Sequence, residues 1–237
     1  MSSTPRDAGT HATPSRLVAL AEAIGIAATV AITIMLLRSL GGLGGYSGEI
    51  GLLLALALAT WLIRREGRSW KHLGLVRPDR WRPALRLIPI AYFGVFASIA
   101  IGQLVLVQGL GLDAPSSSGN NIEGDFWGFV VRVTVISWGT AAFGEELLAR
   151  GFLMDRFGRV FSGSRHAHIM AAAAQALLFG AAHPGQGLAG MIIVGCVGFV
   201  FGLVYLKANR NLWPVILTHG IADTISFTLL YLGITPS

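Results

Sequence analysis

Seven ionisable side chains stand inside apolar stretches of this 237-residue chain: Glu22, Glu145, Glu146, Arg150, His183, His219 and Asp223. A charge at the centre of a membrane helix costs about 2.5–3.5 kcal/mol on insertion scales, so each is a candidate functional group. Their spacing sorts them. In GEELLAR (144–150), Glu146 and Arg150 are i,i+4 with the acid first, the favourable order for an ion pair. Glu145 is turned about 100° from that face, because an α-helix turns once per 3.6 residues. Arg150 therefore neutralises Glu146 and leaves Glu145 facing elsewhere. In LLFGAAHPG (177–185), Phe179 and His183 share a helical face, and in VILTHGIADTI (215–225) His219 and Asp223 do the same. Three such helices bring acid and imidazole groups into one interior chamber. Proton transfer is the chemistry these groups have in common.

The elements that must position them read as membrane helices. Charged residues make up 13% of the chain, about half the share usual in a soluble domain. Residues 1–16 are polar and read as a disordered cytoplasmic tail. The first apolar run, 17–37, is too long for the core of a cleaved signal peptide and reads as a retained span. Further spans are expected near 50–63, 84–109, 130–157, 167–186, 188–206 and 212–232. This predicts an all-α polytopic bundle of about seven transmembrane helices, a single membrane domain over 17–237. The loop at 64–86 is strongly basic, 110–125 has no Lys or Arg, the stretch after 150 is basic again, 184–187 is uncharged, and 207–211 carries Lys207 and Arg210. Basic and non-basic loops alternate, which puts the N-terminus in the cytoplasm and the C-terminus outside. The same distribution accounts for the formal charge of +6 without nucleic acid. Cys196 is the sole cysteine, which excludes an intrachain disulfide and a Cys-rich metal site.

Depth constrains the chamber. At 1.5 Å per residue, Glu145 lies about 20 Å above a fourth-span end at Gly158, and His183 lies about 24 Å above Ala167. The two meet only if the fourth span continues through GFLMDRFG. Glu22, near the start of a span, reads as a structural, paired acid. His166 and His168 fall in a basic loop and read as interfacial. Each chamber histidine taken alone reads more readily as an interhelical hydrogen-bonder.

Taken together, the motifs resemble those of a known family. EELLAR is similar to the EExxxR motif of the CPBP intramembrane proteases, which include type II CAAX prenyl endopeptidases and bacteriocin-processing and immunity proteins. FGAAH resembles the family's FxxxH motif, and HGIAD its third motif, HxxxN or HxxxD. Order and spacing agree, as does SWKHLGLVRP before the third span. The resemblance covers residues 64–232 and is most specific over 141–227; the protease core it implies spans about 126–232.

The resemblance implies peptide-bond hydrolysis in the bilayer. Glu145 would be the catalytic carboxylate, assisted by His183, with His219 and Asp223 completing the site; Glu146, Arg150 and Phe179 would support it. Two mechanisms stay open. In one, Glu145 and His183 activate water while an imidazole donor stabilises the oxyanion. In the other, zinc is held by Glu145, His183 and His219, with one position left for water. Asp223 stands where many relatives have asparagine. An ionised aspartate cannot donate to an oxyanion, so Asp223 is protonated, orients His219 or binds metal. Two other functions fit the same fold: a non-proteolytic membrane scaffold of immunity type, and a proton-coupled transporter. The latter lacks the paired broken helices or inverted repeat that such carriers show. The partners implied are the bilayer and a peptide or membrane-protein substrate.

Overall fold

The computed structural model describes residues 15–41, 43–116 and 122–234; the tail expected over 1–16 falls almost wholly outside them. All regular elements among the described residues are helical. Seven rods follow in chain order: α1 (Arg16–Leu40), α2 (Ser47–Arg65), α3 (Trp81–Gly109), α4 (Phe126–Val160), α5 (Ala167–Ala181), α6 (Gly187–Lys207) and α7 (Trp213–Tyr231). The expected all-α membrane bundle is therefore what these residues form. α1 to α4 and α6 are long and apolar enough to cross a membrane. α5 is apolar but has 15 residues, short of the roughly 20 that a crossing takes. α7 has 19 residues and carries His219, Asp223 and several hydroxyls. α1 begins one residue before the expected boundary because Ser15 caps it, its Oγ accepting from the Val18 N–H at 3.3 Å.

α4 is the axis of the bundle. From Glu146 to Met154 every residue is buried, and a helix buried on all faces lies at the centre of its bundle. α1, α2, α5, α6 and α7 all pack on it, and α3 closes the outside against α6 and α7. The helix runs through GFLMDRFG to Val160, as the chamber requires. Its turns are wider than expected. Apart from Glu146, residues 132–153 are π-helical, with i→i+5 hydrogen bonds. Each turn then holds more residues, so Glu145 and Glu146 diverge by less than in an α-helix.

α5 and α6 approach closely because small residues face each other. Gly180 faces Gly195, Gly198 faces Ala176, and Gly202 faces Ala172, the composition of a tight membrane-helix contact. α5 ends at Ala181, short of the expected 186. Pro184 is the reason: a residue before proline is driven out of the helical region, and His183 sits at φ −112°, ψ 45°.

The start of α1, the ends of α2 and α4, the start of α5 and the α6–α7 turn share one end of the bundle, joined by contacts among Glu22, Arg65, Arg156, His168 and Arg210. At the other end, the Gly124 N–H donates to the Tyr231 carbonyl at 3.0 Å, joining the start of α4 to the end of α7. The connection after α2 is locked onto the α6–α7 turn, with Leu212 N donating to Gly74 O and Asn211 Nδ2 to Val76 O, both at 3.0 Å. Gly74 has φ +99°, and a Cβ there would strike the Arg210 carbonyl, so only glycine fits.

Candidate active site

Two buried charge clusters lie along α4. The first, at the basic end, gathers Glu22 of α1, Glu66 and Arg68 after α2, Arg65 at the end of α2, and Asp155, Arg156 and Arg159 of α4. Arg156 is fully buried, with Nε 2.6 Å from Glu22, Nη1 2.6 Å from Asp155, and Nη2 on Glu66. Arg159 meets Glu66 at 2.9 Å and Asp155 at 3.0 Å. Arg68 forks onto Asp155 at 2.8 and 3.0 Å. Its hydrogen bonds to the Asp155 carboxylate hold the Arg68 guanidinium above its ordinary range. Glu22 is thus paired, as its position near a span start suggests. Arg156 and Arg159 belong to the basic stretch after 150 and fall at the end of the fourth span; Arg156 is the centre of this cluster.

The second cluster lies about two turns further into the bundle. Glu146 and Arg150 form the i,i+4 pair, 2.9 Å apart and both fully buried. Arg150 also donates to the Gly198 carbonyl at 3.1 Å and lies over the rings of Phe179 and Phe201. Buried Gln175 donates to the same carbonyl at 2.8 Å. Glu146 does more than face Arg150. The Oε1 that binds Arg150 also lies 2.8 Å from His219 Nδ1, so Glu146 is a shared acceptor between α4 and α7. A carboxylate accepts, so Nδ1 of His219 carries the proton. The other ring nitrogen lies 3.7 Å from Asp223 Oδ2. No sequence signal points to this contact, which joins residues 73 apart.

His183 lies just past α5, with Nδ1 2.7 Å from the Phe179 carbonyl and its ring against that of Phe179. A carbonyl can only accept, so Nδ1 is the protonated nitrogen and Nε2 is left as an acceptor. Glu145, partly buried, interacts electrostatically with His219 and His183, and with Glu146 and Asp223. Ser137 of α4 lies beside Asp223. The sequence-predicted residues Glu145, Glu146, Arg150, Phe179, His183, His219 and Asp223 thus meet around one region. Trp138 joins them unforeseen. Its Nε1 donates to Thr224 Oγ1 at 3.0 Å, and its ring lies where any Cβ on Gly220 would be. That contact pins α4 to α7 beside His219.

Zinc was expected, if present, on Glu145, His183 and His219. These side chains do not converge as a ligand set; among the described residues no three His, Cys, Asp or Glu groups do. One nitrogen of each histidine is committed within the protein.

The fold and this cluster define a class: a multi-pass helical membrane protein with acids and imidazoles converging inside the bundle. Residues 126–225 match the family model described as Rce1-like, type II CAAX prenyl endopeptidase. The match spans all three motifs and supports the resemblance to the CPBP family. No curated protein and no solved structure matches the chain.

Proposed function

We propose that the protein is an intramembrane endopeptidase that hydrolyses a peptide bond of a membrane-associated peptide or protein. The observation that carries this reading is an asymmetry between adjacent glutamates. Glu146 is held by Arg150 and His219, while Glu145 is in no ion pair among the described residues and interacts at longer range with both histidines and Arg150.

In this reading His183, with Nδ1 donating to Phe179, uses Nε2 to accept a hydrogen bond from water and hold it beside Glu145. Glu145 takes the water proton as its oxygen attacks the scissile carbonyl carbon. A carboxylate withdrawn from water is a stronger base than one in solution. The tetrahedral oxyanion then needs a donor. His219, doubly protonated and steadied at Nδ1 by Glu146, donates from Nε2. Glu145 returns its proton to the leaving nitrogen, and the C–N bond breaks. Asp223 would keep the ring of His219 in register, helped by the Trp138–Thr224 contact. By the positive-inside bias the basic end faces the cytoplasm and the C-terminus lies outside.

The test is peptide cleavage by the purified protein in nanodiscs, read by mass spectrometry. The library would include prenylated CAAX peptides and membrane-protein tails, with and without chelator. New peptide termini that depend on the protein are expected. Their absence across the library would overturn the enzymatic reading in favour of a non-catalytic scaffold.

A further inference from the structure

Outside the chamber, the basic end holds a cavity of about 550 Å³ lined by Arg165, His166, His168 and Arg210, with Ile169, Leu206 and Asn209. It lies between the start of α5 and the α6–α7 turn. None of its lining residues is acidic. Asp155, which lines the adjoining recess, is taken up by Arg68, Arg156 and Arg159. The cationic side chains instead lean on imidazoles. Arg165 Nε donates to His166 Nε2 at 2.8 Å, and Arg210 Nη2 lies 3.0 Å from the ring of His168. Neither arginine is in an ion pair among the described residues. Two guanidiniums held so against imidazole rings have further N–H donors without a carboxylate partner among the described residues, and an anion is what those donors fit.

The backbone is built for this arrangement. Asn209 and Arg210 both have positive φ, 53° and 61°, a conformation costly for residues with side chains and kept only where the surroundings impose it. Here the Arg210 N–H donates to the Tyr205 carbonyl at 2.8 Å, and the Arg210 carbonyl packs on Gly74. Arg210 is therefore presented from a fixed turn. The planar guanidinium pair suits the oxygens of a phosphate. Ile169 and Leu206 give the same cavity an apolar wall, and Ile169 and Met170 are exposed beside it.

We propose that this cavity binds a phosphate group, and that a phospholipid headgroup is its source, with the apolar wall taking the start of the acyl chains. The site is independent of the hydrolytic reading. It is tested by titrating detergent-solubilised protein with short-chain phosphatidic acid, the matching phosphatidylcholine and inorganic phosphate, following binding calorimetrically and thermal stability in parallel. Phosphatidic acid should bind and raise the melting temperature, with weakening as salt rises. The double variant Arg165→Gln/Arg210→Gln should lose about tenfold or more in affinity. Arg165→Lys/Arg210→Lys, which keeps the charge, should retain part of it and serves as the folding control. Binding of inorganic phosphate as tight as that of phosphatidic acid would support the phosphate site and overturn the lipid source. Equal binding of phosphatidylcholine, or unchanged affinity in the Gln double variant, would overturn the proposal.

Discussion

The two charge clusters on α4 differ in how their charge is balanced. At the basic end, the four arginines Arg65, Arg68, Arg156 and Arg159 meet the three acids Glu22, Glu66 and Asp155, and each acid touches at least two arginines. In the chamber, the acids Glu145, Glu146 and Asp223 share one arginine, Arg150, and two histidines. The first cluster is closed in one sense: each of its acids is held by permanent cations, and the contacts tie α1, α2 and α4 together. The second is short of permanent cations, and what it has instead are imidazoles, which can gain and lose protons. Buried acids held by permanent cations serve the fold; buried charge left to titratable partners is where proton chemistry is available.

The comparison can be broken most forcefully at Arg156. Replacing it with glutamine leaves Glu22, Glu66 and Asp155 buried around a neutral amide, and breaking a buried pair costs about 3–5 kcal/mol. Poor yield and a strongly lowered melting temperature in detergent are expected. A variant melting like wild type would show that the cluster is not structural.

Glu146→Gln sits between the two kinds of cluster. It leaves Arg150 without its anion and removes the acceptor of His219 Nδ1, so both melting temperature and cleavage should fall, stability by about 1–3 kcal/mol as a charge-assisted bond is weakened. Loss of activity with an unchanged melting temperature would place Glu146 with Glu145 in the chemistry instead.

A smaller effect is expected at Asp223. Asparagine keeps the shape and can donate to an oxyanion, whereas an ionised aspartate repels it. The ratio of Asp223→Asn to wild-type kcat/KM should be near one and rise with pH. Parallel loss of activity and of bound zinc, by elemental analysis, would instead make Asp223 a metal ligand.

Least of all is expected of Arg65→Gln. That side chain is 48% exposed, and exposed pairs contribute about 0–1 kcal/mol, so the melting temperature should scarcely move. A large drop would mean that the closed cluster depends on its rim.

What was legible in the sequence followed from local spacing. Glu146–Arg150 and His219–Asp223 are i,i+4 pairs, and such pairs meet on any helix. The continuation of α4 past Arg150 was legible from the depth at which Glu145 and His183 must coincide. The link from Glu146 to His219 was not, because nothing local encodes a contact between helices so distant in sequence. The partners of Arg156 were not legible for a related reason: near a helix end, a buried arginine and a loop arginine look alike until the acids from α1 and the α2–α3 connection arrive. The π-wound turns of α4 left no trace in residue spacing, and the end of α5 was set by Pro184, whose effect on His183 outweighed the apolar run.

The account turns on Glu145 being the carboxylate left free for chemistry. Its most direct test is cleavage rate and melting temperature measured together for Glu145→Gln in nanodiscs. The side chain keeps its shape, and no arginine pair is lost. The account predicts a loss of about 10²–10⁴-fold in kcat/KM, the usual worth of a general base, with a melting temperature at or above that of wild type. Retention of more than about a tenth of the activity would contradict it.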